Sequence, residues 1–470
     1  MIDQSSLRRY IMKKLFAAFI LAMCLCFSAS TQTSNDSSLR GVTALDEKDR
    51  DANGKLLTLP AAEHISRGFV YLDNRHFPEA QAHFQRFLDV YPNDPLLPRA
   101  LFGMGRSLMW ERKYISAIPF FGRVSSEFPA TKDGRESLAF MGACHVRLGK
   151  NEEAAKIYER YTTMYPTGER IDSAYLNIID AWREAGKYAD ALAWVEKAKT
   201  RFVDTPTAVN AMQARVRLEI NRKNWMDAVA AADELLKVKT FTGSMATEGE
   251  IKYLKGLALE SAGKRAEAMA VYSSIPDVNG SYFGGLASDK LNTGNRIKRI
   301  AQVSPTAATD FPVMFRSELM QYAKPKGIDP RFLLAIMKQE SSFRPNAKSP
   351  AAARGLLQLV YDTATKYNER AGIPVFVPDD LYRPSVNIAI GTEYVAELNK
   401  QFGGLYEAIA ASYNGGEDNA ARWLNRSNPR EPGVFTSEIG FAETKNYVFK
   451  VMTNYRVYKA LYDENLIKRN

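Results

Sequence analysis

DPRFLLAIMKQESSFRPNAKSPAAARGLLQLV, residues Asp329 to Val360, is the stretch of this 470-residue chain that decides its fold and points to its chemistry. Asp329 and Pro330 together open a helix, because the Asp side chain takes an orphan N–H and Pro at the first helical position has none to lose. On that helix Leu333, Ile336, Met337 and Glu340 fall on one face, since residues three, four and seven apart lie above one another. One carboxyl therefore shares an apolar stripe. Such a group turns outward into water, pairs with a cation, or stands at the wall of a cleft as a neutral acid. The third arrangement is how a carboxyl becomes a general acid near neutral pH. The stretch alone leaves these readings open.

Outward from it, the chain is too long for one core, and its 46% hydrophobic content is that of a globular protein. Residues 1–30 read as a signal peptide: Arg8, Arg9, Lys13 and Lys14 precede an apolar run from Leu15 to Phe27, followed by Ser28, Ala29 and Ser30. Cleavage is expected after Ser30, Met12 is an alternative start, and the run is too short for a comfortable membrane span. Cys24 and Cys26 lie inside that run and follow Met23 and Leu25, so a lipid anchor is the less expected outcome. Cys144, left alone, reads as a small core residue. The formal charge is +10; segment 1–30 holds four cations and one acid, Asp3, so its removal leaves about +7. A moderately basic exported chain suits an anionic partner such as a cell-wall polymer or a membrane surface. Nucleic acid is not expected, because no basic cluster is interleaved with aromatics.

Residues 31–55 are polar and read as a flexible leader. A repeat occupies 56–277. Ala80, Ala117, Ala154, Ala191 and Ala228 recur every 37 residues, and Ala268 lies 40 further on. In the same register stand Gly68, Gly105, Gly142, Ile179, Val216 and Gly256 upstream, and Tyr91-Pro92, Phe128-Pro129 and Tyr165-Pro166 downstream. Small residues at two fixed points let paired helices approach closely. The pattern resembles a tetratricopeptide-type helical solenoid of slightly long period. Such an array grips a partner or polymer on its concave face, or only spaces and orients the domain behind it. Trp110, Trp182, Trp194 and Trp225 fall at helical spacings that point to core packing, and Pro119 is expected to kink or interrupt its helix.

Residues 278–310 read as a linker region and 311–470 as a second, almost wholly α-helical domain with no two-residue alternation. All four histidines, His64, His76, His83 and His145, precede residue 150. Ser-His-Asp and Cys-His chemistry and a His-rich metal site are thereby removed from the second domain, and no cofactor is called for. Carboxylates and hydroxyls are left to carry any catalysis there.

QESSFRPNAKSPAAARGLLQL, ASYNGGEDNAARW and ETKNYV, in that order, resemble the soluble lytic transglycosylase domain, and the repeats in front resemble the larger members of that family. The resemblance implies an all-α chain: a tetratricopeptide-like superhelix followed by a lysozyme-like helical domain. It implies cleavage of the MurNAc–GlcNAc bond of peptidoglycan with closure of a 1,6-anhydro ring, and no metal. By motif position, Glu340 is the single acid and base. Ser349 is placed to bond that carboxyl, Gln358 to line the saccharide cleft, and Tyr413 and Tyr447 to approach Glu340 or substrate. Asn414 is either a helix cap or a sugar contact, and Glu443 supports the cleft. Asp362, Asp379 and Asp380, the candidates for a second carboxylate, stand where capping is the expected role. Val360, Tyr361, Ala352, Gly415 and Gly416 depart from the family's usual Met, Pro, Gly and Ala, which bears on substrate fit. Two alternatives stay open: a non-catalytic wall-binding scaffold and a lysozyme-like hydrolase. The implied partners are glycan strands, with protein partners on the repeats possible, in the periplasm or cell envelope.

Overall fold

The computed structural model describes residues 38–278, 280–292, 307–349 and 352–469. The signal segment with Met12, Cys24 and Cys26 lies outside them, as does much of the expected linker, 293–306. Among the described residues the protein is all-α, with isolated β-bridges only. Two compact units divide it, 1–187 and 188–470.

The first unit is a run of antiparallel helix pairs from Ala61–Asp73 to Ile171–Glu184. The second unit continues the pairs from Tyr188–Arg201 to Arg265–Ser273, then adds Tyr282–Asn292 and the C-terminal helices. All six register alanines, Ala80, Ala117, Ala154, Ala191, Ala228 and Ala268, are fully buried. The partner positions show why small residues are needed. A Cβ on Gly68 would stand 2.7 Å from the Phe84 ring, on Gly105 2.8 Å from Phe121, on Gly142 2.6 Å from Tyr158, and on Gly256 2.5 Å from Tyr272. Each aromatic follows its glycine by sixteen residues. Where the small site becomes Val216, the position sixteen residues on becomes Ala232, so the repeat trades volume between the two sites. Gly142→Ala is accordingly expected to destabilise by about 1–3 kcal/mol through overpacking. Chemical denaturation reads this, and an unchanged midpoint would count against the packing argument.

Three expectations are corrected here. Residues 38–48 form a helix rather than a flexible leader, and Asp46 on it is buried, 2.6 Å from Arg67 and 2.8 Å from His83 Nε2. The segment is polar because it brings the charge that two buried groups need. His64 accepts the Leu59 N–H through Nε2, so its proton sits on Nδ1 and points at His83 Nδ1, 3.1 Å away. His83 can then donate from Nε2 to Asp46, and burial holds His64 down to about 4 and His83 below its ordinary value. Both are satisfied core imidazoles. Secondly, of the two effects expected of Pro119 the interruption is absent, since helix Tyr114–Glu127 continues through it. Thirdly, Trp182 is buried and Trp225 packs on the core, whereas Trp110, ending its helix, is 45% exposed. Cys144 is buried, with its thiol pushed up to about 12 by that burial, and so behaves as a core residue.

The C-terminal domain is organised on helix Pro330–Glu340, whose residues Phe332 to Met337 are fully buried. It packs against the long last helix, Ala442–Leu461. Phe332 stacks on Tyr406 at 4.5 Å and meets Tyr455 edge-on at 5.5 Å. A second long helix, Pro384–Gln401, is buried along most of its length.

Candidate active site

Glu340 is the last residue of the central helix, so its carboxyl stands at the point where an apolar rod ends. The start of that rod is fixed as its sequence requires. Asp329 accepts the Arg331 N–H at 2.9 Å, and Tyr455 donates to it from the last helix at 2.8 Å. At the other end Ser341 N–H closes on Met337, and the Ser341 hydroxyl donates to Leu356 O at 2.8 Å. Ser342 and Phe343 then both take left-handed backbone, φ 49° and 63°, an uncommon pair for non-glycine residues. The reversal returns Phe343 to the core and leaves Glu340 half-buried at the turn.

Tyr447, from the last helix, donates its hydroxyl to Glu340 Oε1 at 2.6 Å. Burial pushes the Glu340 carboxyl above its ordinary range, and the Tyr447 hydrogen bond offsets part of that. Burial and the neighbouring Glu340 charge push the Tyr447 and Tyr413 phenols well above theirs, so both remain donors at neutral pH. Tyr413 donates to Leu357 O at 2.6 Å, fixing the loop beside the carboxyl.

The described parts of that loop, 347–349 and 352–359, are held from several sides. Gln358, at φ 46°, donates through Nε2 to Ala347 O at 3.0 Å and Gly355 O at 2.8 Å. Gly355, at φ 78°, lies so close to the turn Pro378–Tyr382 and to helix Pro384–Gln401 that a Cβ would stand 2.1 Å from Leu381 O and 2.3 Å from Asn387 Nδ2. Asn387 on that helix is fully buried; it accepts Leu357 N–H at 2.8 Å and donates to Leu381 O at 2.8 Å and Arg354 O at 3.0 Å. Asn387→Leu strands the buried Leu357 N–H and Leu381 O, while Arg354 O keeps the Leu359 N–H at 3.1 Å, and it is expected to cost roughly 3 kcal/mol. Thermal melting checks the loss, and a variant as stable as the parent would show the loop to be held otherwise.

The remaining candidates sort by place. Ser349 Oγ accepts Ala353 N–H at 3.1 Å, and among the described residues no hydrogen bond joins it to Glu340. Asn414 is exposed near the end of its helix, its Oδ1 accepting from Thr444 Oγ1 at 2.7 Å; Gly416, at φ 87°, caps that helix. Glu443 is exposed in the first turn of the last helix. Asp380 accepts Val377 N–H at 2.9 Å as a cap, Asp379 is 84% exposed, and Asp362 is exposed at the start of a four-residue turn. The structure thus brings Glu340, Tyr413 and Tyr447 together and fixes Gln358 in the adjoining loop. Asn387 and Thr444 belong to this framework and were not singled out from the sequence.

The site is thus one largely desolvated carboxyl, bonded by Tyr447 and close to the Tyr413 phenol, in an all-helical domain. Residues 318–434 match the family described as Transglycosylase SLT domain, and residues 142–204 match Tetratricopeptide repeat. The soluble lytic murein transglycosylase of Salmonella typhimurium is 36% identical over 144 residues, 30% of this chain and 22% of that protein. Membrane-bound lytic murein transglycosylase C of Salmonella arizonae is 33% identical over 162 residues, 30% of this chain and 44% of that protein. The X-ray structure of an inactive mutant of lytic transglycosylase Slt from Pseudomonas aeruginosa superposes with TM-score 0.50 at 19% identity, covering 90% of this chain and 86% of that one. The chain spans about a fifth of the length of the soluble relatives it matches. It carries an SLT transglycosylase domain behind tetratricopeptide repeats, in an all-α fold.

Proposed function

We propose that this chain is an exported murein lytic transglycosylase that cleaves the β-1,4 bond between MurNAc and GlcNAc with Glu340 as its one acid and base. The observation that carries the reading is the Glu340 carboxyl itself, desolvated at a helix end and held by Tyr447. In the first step protonated Glu340 gives its proton to the glycosidic oxygen as the bond to C1 breaks and positive charge develops on the sugar. The same carboxylate then takes the proton of the muramic C6 hydroxyl while that oxygen bonds C1 and closes the 1,6-anhydro ring. The proton lost is regained, and no water is consumed. A second carboxylate is not needed, which fits the capping and exposed positions of Asp380, Asp379 and Asp362. The phenols of Tyr447 and Tyr413 orient the carboxyl and its loop, and Gln358 shapes the wall that would meet the glycan.

The repeats, on this reading, guide glycan strands and offer a surface for protein partners, with the whole acting in the periplasm or cell envelope. The test is product analysis: purified chain incubated with peptidoglycan should release 1,6-anhydromuropeptides. Reducing muramic ends would assign a hydrolase instead, and absence of any product from a chain that binds the polymer would assign a scaffold.

A further inference from the structure

The last helix faces two ways. Successive residues on a helix are about 100° apart, so Lys445 and Tyr447 point to nearly opposite sides of its first turn. Tyr447 meets Glu340. Lys445 meets the repeats: its Nζ lies 2.9 Å and 2.8 Å from the two oxygens of Glu250, on helix Glu248–Ser261. Gln213, on helix Pro206–Asn221, donates to the same Glu250. Lys445 and Glu250 side chains are 3% and 0% exposed. Arg217 and Glu438, joined at 2.9 Å, are the other charges felt by Lys445.

Apolar contacts already anchor this helix, through Phe449 stacked on Tyr282 at 5.0 Å and through buried Val448 and Val451. A buried ion pair adds little net stability over a well-packed apolar pair, but it is directional. Greasy contacts tolerate sliding and rotation; a carboxylate gripping an ammonium from one side does not.

We propose that Glu250, steadied by Gln213, and Lys445 are positioning residues that set the height and rotation of the first turn of Ala442–Leu461 so that Tyr447 meets Glu340. The inference rests on the proposed function of Glu340, and it makes two repeat helices part of the active site's support.

The decisive variant is the double replacement Glu250→Leu with Lys445→Met, which removes both charges and strands neither. It leaves the buried Gln213 amide without its Glu250 acceptor, so it is expected to melt somewhat below the parent yet fold, while kcat on peptidoglycan falls about 10- to 100-fold with little change in KM. A purely structural role would not move the pH profile. Here the alkaline limb of kcat/KM should shift upward, since Tyr447 holds the Glu340 carboxyl down and Tyr413 donates to Leu357 rather than to that carboxyl. Lys445→Arg, keeping the charge, should retain most of the activity. Unchanged kcat and limb in the double variant overturn the proposal. If that variant fails to fold, Gln213→Leu takes its place, with a smaller shift in the same direction, and no shift there overturns it equally. A readout without turnover separates this from the activity itself. The melting difference between chains with and without Glu340→Gln, followed against pH, bends where Glu340 loses its proton, and that bend should move up in the double variant. A parent chain that releases no anhydro products sinks the proposed function, while an unmoved bend sinks the positioning.

Discussion

Glu340→Gln should lower anhydromuropeptide release by roughly 10²- to 10⁴-fold while leaving the fold intact. The amide is nearly isosteric, and its oxygen still accepts the Tyr447 hydroxyl that now meets Oε1 at 2.6 Å. What is lost is the proton and the ability to take another, and both halves of the proposed cycle need it. In the parent, kcat/KM should fall as pH rises through the Glu340 pKa, which burial has lifted above the ordinary carboxyl range. The stability consequence has a definite sign. The folded state holds this proton more tightly than the unfolded chain, so stability is full below the unfolded pKa and is lost as pH climbs toward the folded one. Glu340→Gln escapes that loss and should melt higher than the parent above this window, but not below it. A Gln variant with activity within a few-fold of the parent would remove Glu340 from the chemistry.

Why Glu340 was legible and Asn387 was not is a matter of range. The cap at Asp329, the Pro at the first helical position and the placing of Glu340 on the helix are decided within a dozen neighbouring residues. The repeat was legible because the same packing problem, a small residue under an aromatic, is solved again and again at one period. Asn387 answers to Leu357 and Arg354, about thirty residues upstream, and sits on Pro384–Gln401. That helix is apolar on most sides and presents no single stripe by which to recognise it. The left-handed turn at Ser342 and Phe343 carries no glycine to announce it. Ser349 shows the converse case: its place in a motif pointed to the carboxyl, whereas its hydroxyl closes its own loop on Ala353. Asp46 shows another, since a charge beside a buried arginine and histidine looks from composition like part of a solvated leader.

A fragment beginning at Phe311 is expected to lose cooperative folding, whereas one beginning at Tyr188 keeps it. The linker reading of 278–310 makes the shorter piece look like a free-standing domain, but its last helices share a core with the repeats. Val434 is buried in the cluster that contains Tyr253, Tyr282 and Phe283, and Phe449 and Met452 pack on that cluster from the last helix. Cutting at Phe311 bares those side chains, at about 1.5–3 kcal/mol for each one wholly uncovered. It also takes Glu250 from Lys445, Arg217 from Glu438, Asp277 from Arg456 and Tyr282 from Glu407. Water can rehydrate the freed charges, so the apolar loss dominates. It is of the size of a whole domain's stability, about 5–15 kcal/mol. Residues 188–470 form a compact unit that retains every one of these partners. The comparison is two melting curves and two assays on peptidoglycan. The longer fragment should show one sharp transition and the anhydro products, the shorter one a broad or absent transition and at least tenfold less product at 37 °C, about 1.4 kcal/mol or more in barrier or in folded population. Equal transitions would mean that the helices around Glu340 hold their geometry unaided, and the repeats would then be left with the glycan strand alone.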